Sequence, residues 1–196
     1  NLVKLEFSKK LKRLFNDSDY INGKEVKIFE DNIKTLTKSK YAISCGNGTD
    51  ALQISLMCLN LRKGDEVIMP AFSYISILET TVLLGLKPVL VDVDYDTFHI
   101  DENKLEKKIT QKTKVIVPVH LFGQNSNMSK IRKIAKRHNL FIIEDAAQSI
   151  SSNNIVGKNK IQSGNMGDIG CFSFFPTKNL GSYGDGGAII TNNRSL

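Results

Sequence analysis

The chain has 196 residues, enough for one sizeable domain with its own core or for two small ones. Hydrophobic residues make up 41% and charged residues 24%, the balance of a soluble globular protein, and no apolar run approaches membrane-spanning length. The formal charge of +7 would suit nucleic acid or an anionic small molecule. However, the basic residues gather as Lys9, Lys10, Lys12 and Arg13, and as Lys130, Arg132, Lys133, Lys136 and Arg137. Both groups sit on amphipathic helical patterns with no interleaved aromatics, which reads as two solvated faces and argues against nucleic acid. No opening stretch has the form of a signal peptide, so a cytoplasmic location is expected. Because the chain starts at Asn1 without a methionine and stops at Leu196 just after a strand-like run, it reads as part of something longer.

In chain order, residues 1–40 read as a helical segment, with Val26, Phe29, Ile33 and Leu36 at helical spacing in its second half. From residue 41 strands and helices alternate, and residues 41–196 read as one domain. Tyr41–Cys45 is a short strand and Asp50–Leu59 a mostly buried helix. Glu66–Met69 is a strand closed by Pro70, followed by a helix within Ser73–Leu84. Pro88–Val91 is a strand, and Asp101 caps a helix running to about Ile109. Lys114–Val119 is the next strand, and Ser129–His138 a helix with Ile131, Ile134, Ala135 and His138 on one face. Leu140–Glu144, Ile169–Phe174 and Ala188–Thr191 complete seven strands. The polar stretch Ser149–Asn165 is the place expected to be irregular. Strand interiors are continuous apolar runs, as when helices cover both faces of a sheet. The expectation is an α/β domain on a mostly parallel sheet, with ligands beyond the carboxyl ends of the strands.

Cys45, Cys58 and Cys171 are odd in number and form no CxxC, so buried free thiols are expected. They share no metal-ligand spacing with His99, His120 or His138, and no metal is expected.

The positions after the strands carry unusual chemistry. Cys45-Gly46-Asn47-Gly48-Thr49-Asp50 leads into a helix, and reads either as a phosphate-binding turn or as a plain glycine turn. It is not a dinucleotide fingerprint, because the glycine spacing and the ribose-binding acid are lacking. Pro70-Ala71-Phe72-Ser73-Tyr74 puts aromatics at a strand-to-helix junction, where one could stack on a flat ring; Phe72 is expected in the core. Asp145 ends a strand beside Ala146 and Ala147, and could pair with a protonated pyridine nitrogen or merely cap a helix. Lys178 lies between an apolar strand with a proline and the turn Gly184-Asp185-Gly186-Gly187. A lysine desolvated there becomes a nucleophile for carbonyls. Phosphate turn, aromatic, acid and lysine, all at strand ends, together are what a pyridoxal-phosphate site requires.

Three stretches carry a family likeness: Asn47-Gly48-Thr49-Asp50-Ala51-Leu52, Glu144-Asp145-Ala146-Ala147-Gln148, and Ser173-Phe174-Phe175-Pro176-Thr177-Lys178-Asn179-Leu180-Gly181 followed by Gly184-Asp185-Gly186-Gly187-Ala188. From about Asn22 onward the chain resembles the DegT/DnrJ/EryC1/StrS family of pyridoxal-phosphate aminotransferases acting on nucleotide-linked keto sugars. The resemblance implies the large domain of the type I aspartate aminotransferase fold, a seven-stranded, mostly parallel sheet flanked by helices, with the small C-terminal domain missing. It implies Lys178 as the residue that holds pyridoxal 5'-phosphate as a Schiff base and shuttles a proton. It further implies Asp145 at the pyridine nitrogen, Gln148 at the phenolic oxygen and Tyr74 stacked on the ring. Gly48, Thr49 and Ser173 are implied as phosphate donors. Glutamate as amino donor, a homodimer, and a role in amino-sugar or surface-polysaccharide synthesis follow in the same way. Within the family the glycine-rich turns resemble the branch that aminates the 3-keto position of UDP-linked N-acetylated sugars, including uronates. The downstream asparagine that a second subunit gives to the phosphate is absent, so full cofactor binding and turnover are expected of the longer protein. Two alternatives stand beside this: a dehydratase relative, in which histidine replaces the lysine, and a non-catalytic cofactor-binding fragment.

Overall fold

The computed structural model describes residues 2–156 and 159–196. Two helices open the chain, α1 (Leu2–Asp17) and α2 (Lys24–Thr37). Among the residues of α1 none is buried, and Lys9, Lys10, Lys12 and Arg13 form a solvated face, as read from the pattern. Helix α2 turns Ile33 into the core, with Phe29 packed edge-on against Phe174 at 5.2 Å.

Seven strands form one sheet: β1 (Tyr41–Cys45), β2 (Glu66–Pro70), β3 (Lys87–Val91), β4 (Thr113–Ile116), β5 (Phe141–Asp145), β8 (Ile169–Ser173) and β9 (Gly187–Thr191). Their order is β1-β9-β8-β5-β4-β2-β3. Strands β3, β2, β4, β5 and β8 run parallel, whereas β9 is antiparallel to both neighbours, β8 and β1. The central strands are buried on both faces, which is why they read as unbroken apolar runs.

Alternate residues of one strand serve opposite cores. Val67 and Met69 pack with Val115, Val117, Ile143 and Cys171 under α3 (Gly48–Met57) and α4 (Ser76–Leu83). Ile68, Ile116 and Ile142 face the other way, against Met128, Ile131 and Ile134 of α6 (Met128–His138). His138 ends that helix in solvent, bonded to Glu106. The helix capped by Asp101 is shorter than its pattern: α5 (Glu102–Leu105) tightens into a 3-10 turn at Glu106–Lys108.

Two expectations need correcting. The stretch Ser149–Asn165 contains an antiparallel hairpin, β6 (Asn153–Val156) and β7 (Asn159–Gln162). Its strands mix polar and apolar residues in a separate two-stranded sheet, so no continuous apolar run announced them. Phe72 is not in the core: it is 50% exposed just past the end of β2, with its ring 5.4 Å from that of Phe98. Of the thiols, Cys171 is buried and Cys45 and Cys58 are partly so; all three are free. Among the described residues no helix is long and apolar enough to cross a membrane, and no cluster of His, Cys, Asp and Glu is arranged to hold a metal ion.

Candidate active site

At the carboxyl edge of the sheet lies a cavity of about 490 Å³, and Gly48, Thr49, Tyr74, Asp145, Gln148, Ser173 and Lys178 all line it. They arrive from four places in the chain, because parallel strands deliver their C-terminal ends to one edge.

The first wall is the start of α3. The Asn47 side chain accepts a hydrogen bond from the Asp50 N–H at 2.8 Å and caps the helix. The N–H groups of Gly48 and Thr49, in the first turn, have no intrahelical acceptor and carry the positive end of the helix dipole. Two glycines let this turn sit where it does. A Cβ on Gly48 would lie 2.7 Å from the Ser173 Cβ, so only glycine brings the helix start against the end of β8. A Cβ on Gly187 would lie 2.2 Å from the Asn47 carbonyl oxygen. Gly187→Ala is therefore expected to push the turn off β9 at a cost of about 1–3 kcal/mol, lowering the melting temperature by about 2–4 °C per kcal/mol. Thermal unfolding followed by circular dichroism checks this; an unchanged midpoint would mean the turn yields freely.

Hydroxyl groups surround that helix start. The Thr49 and Ser76 hydroxyls are 3.0 Å apart, and the Ser173 hydroxyl accepts from the Phe175 N–H at 3.4 Å. The Ser73 hydroxyl is buried in the same wall with no partner among the described residues. An unpaired buried hydroxyl costs about 1–3 kcal/mol, so this wall is short of acceptors. Tyr74 is 69% exposed at the cavity, and among the described residues its ring meets no other aromatic ring.

Asp145 forms the floor at 5% exposure. One carboxylate oxygen accepts from the Ala147 N–H at 3.1 Å, and no helix follows, which removes the helix-cap reading. The other oxygen has no hydrogen-bond partner among the described residues. Burial pushes this carboxyl above its usual range, opposed by the Ala147 N–H and by the nearby Lys178 ammonium. A carboxylate in this condition favours a cationic partner. Gln148 accepts from the Phe122 N–H through Oε1 at 2.9 Å, leaving its NH2 group without an acceptor among the described residues.

Lys178 stands in the loop between β8 and β9, its N–H donating to the Phe175 carbonyl at 2.8 Å. Its setting differs from the apolar enclosure expected: Lys178 is half-buried and its neighbours Phe175, Pro176, Thr177, Asn179 and Leu180 are exposed. The loop leaves the sheet at Ser173, so the apolar residues beside the lysine have no second layer over them.

Sequence reasoning passed over two buried residues behind this floor. Glu144 and His120 are both 0% exposed, with His120 Nε2 2.7 Å from Glu144 Oε2. The signal was available: a carboxylate that directly continues the apolar run Phe141–Ile143 within a buried strand must be paired.

This edge of the sheet thus joins a hydroxyl-rich helix start, an amine and a buried acid in one pocket. The chain belongs to the DegT/DnrJ/EryC1/StrS aminotransferase family, whose profile matches residues 2–196. It is 47% identical, over 95% of its length and 51% of the relative's, to the UDP-2-acetamido-2-deoxy-3-oxo-D-glucuronate aminotransferase of Pseudomonas aeruginosa. It is 45% identical to the pleiotropic regulatory protein of Geobacillus stearothermophilus, over 99% of this chain and 51% of that one. The fold superposes on the crystal structure of NtdA from Bacillus subtilis with bound cofactor PMP, at a TM-score of 0.87 and 40% identity. That match covers 95% of this chain and 41% of that one. The chain spans about half the length of the curated relatives it matches.

Proposed function

We propose that this chain is the cofactor-bearing part of a pyridoxal-phosphate aminotransferase that moves an amino group from glutamate to a nucleotide-linked keto sugar. The observation that carries this reading is one cavity that joins Lys178, the buried and half-unpartnered Asp145 and a hydroxyl-rich helix start. The features of the pocket fit pyridoxal phosphate: an acid without a cation, an orphan hydroxyl at the anion-binding turn, and an unpaired aromatic ring.

In this reading the Gly48 and Thr49 N–H groups, with the Thr49 and Ser173 hydroxyls, hold the phosphate. Tyr74 covers one face of the ring, and the Gln148 NH2 donates to the phenolic oxygen. Asp145 keeps a proton on the pyridine nitrogen, because a buried carboxylate stabilises the cation it faces. When bound, the cofactor supplies an aldehyde carbon for amines and a cationic ring that accepts electron density. Lys178 Nζ is the amine that would hold the cofactor and, once released, would serve as the base that takes up and returns a proton. Residues 41–196 form the domain that does this, and residues 1–40 a helical segment at its side. The Pseudomonas relative's name supports a UDP-linked 3-keto N-acetylated sugar or uronate as acceptor, and hence a part in amino-sugar and surface-polysaccharide synthesis. The protein acts as a homodimer in the cytoplasm.

The dehydratase alternative is disfavoured because lysine stands at 178, where that branch has histidine. The Geobacillus relative's name favours a regulatory second reading, but a purely regulatory module has no need of Lys178 beside Asp145. The test is the visible spectrum of the intact protein before and after borohydride, followed by peptide mapping. A phosphopyridoxyl group on Lys178 supports the proposal; a colourless protein, or a label on another lysine, overturns it.

A further inference from the structure

Strand β4 ends at Ile116, three residues before Val119 of the cavity wall, yet residues 117–120 still run beside Asp145. The Asp145 N–H donates to the Pro118 carbonyl and the His120 N–H to the Asp145 carbonyl, each at 2.9 Å. What holds this extension in place is a set of buried side-chain bonds. Ser126, 0% exposed, donates its N–H to His120 Nδ1 at 3.1 Å and its hydroxyl to the Val119 carbonyl at 2.9 Å. Because Nδ1 accepts, the ring proton is on Nε2 and is given to Glu144 Oε2. Glu144 also accepts from the N–H groups of Gly164 at 3.0 Å, Met166 at 2.6 Å and Gly167. Its carboxylate therefore takes four hydrogen bonds, and ties the extension of β4, strand β5 and the turn entering β8 into one unit. Consecutive strand residues point to opposite faces, so Glu144 makes this knot on one side while Asp145 meets the cavity on the other.

We infer that His120 and Glu144 are positioning residues for Asp145: they fix the backbone from which its carboxylate faces the cavity, without touching a ligand themselves. This rests on the proposed cofactor site. His120 is anchored at both ring nitrogens, and its main-chain N–H is the one that sets the Asp145 carbonyl. Releasing the ring frees residues 117–120 to shift and turns the carboxylate off its direction. A scaffold role alone would weaken the fold equally whatever stood at 145; a positioning role acts only through the acid.

The experiment is a double-mutant cycle on the intact protein, with pyridoxal phosphate titrated by absorbance and the melting temperature of each cofactor-free variant recorded beside it. His120→Ala is expected to weaken cofactor binding about tenfold when residue 145 is aspartate, and less than twofold in the Asp145→Asn background. His120→Gln, which keeps a donor for Glu144, is expected to restore binding to within about threefold of the parent. Glu144→Gln, which brings an NH2 group among four donors, is the second probe and is expected to show the same dependence on residue 145. Equal losses in both backgrounds, or a fall in melting temperature with cofactor affinity unchanged, would overturn the inference while leaving the cofactor site standing. A parent protein that takes up no pyridoxal phosphate would overturn both.

Discussion

Lys178→Ala is expected to abolish turnover, by at least about 10⁴-fold, while leaving the fold intact. The lysine sits half-buried in a loop whose neighbours are exposed, and its hydrogen bond to Phe175 comes from its main chain rather than its amine. Substitution at such a site changes stability by about 0.5 kcal/mol or less. The loss would therefore be chemical: without Nζ no amine holds the cofactor and none carries the proton. Lys178→Arg makes the stricter case. It keeps the positive charge, but a guanidinium stays protonated at any working pH and cannot attack a carbonyl. Both variants should give no borohydride-fixed label, with melting temperatures within a degree or two of the parent. Measurable transamination by either would remove Lys178 from the centre of the mechanism.

Asp145→Asn is expected to do two opposite things. Turnover should fall by about 10²–10³-fold, the loss seen when one preorganised electrostatic partner is removed from a reacting group. The cofactor-free protein should at the same time become more stable at pH 7. Asp145 is 5% exposed, and burial raises its folded-state pKa above the ordinary 3.8, so its ionised form opposes folding. The sign follows from linkage. A carboxyl whose folded pKa is raised contributes stability fully present below the unfolded pKa, and that stability is lost as pH rises through the folded value. Asparagine keeps an acceptor for the Ala147 N–H and carries no charge. Its advantage, of order 1–3 kcal/mol, should be full above the folded-state pKa and fade as the pH drops through it toward 3.8. The difference between the two melting curves isolates this term. Other carboxyls act in the opposite sense: hydrogen bonds from Thr110, Lys87 and Thr113 hold Glu66 below its usual range. A melting point lowered by Asp145→Asn at pH 7 would mean that the acid is already paired and that its assigned partner is wrong.

Several parts of this molecule were readable before folding because their causes are local. The strands read as apolar runs, since helices cover both faces of the sheet, and six of the seven start and stop within one residue of the patterned bounds. The turn Cys45–Asp50, the acid after Leu140–Glu144 and the lysine before Gly184-Asp185-Gly186-Gly187 were legible as chemistry at strand ends, with a family likeness to bind them. Other features depend on contacts between distant residues and left no local trace. The antiparallel course of β9 depends on which strands it meets, and a run such as Gly187–Thr191 looks the same in either direction. Hairpin β6–β7 mixes polar and apolar residues, with Ile155 exposed and Ile161 packed on the core, so no continuous apolar run marks it. Phe72 is exposed because the sheet ends beneath it, a fact of its position and not of its type. The knot of Ser126, His120 and Glu144 joins residues up to 24 apart within it, and is visible only once β4 and β5 lie side by side. Local pattern was enough for the seven strands of the main sheet and for the residues with chemistry at their ends. The tertiary structure alone decided that seven of those residues share one cavity, because parallel strands bring separated C-terminal ends to a single edge.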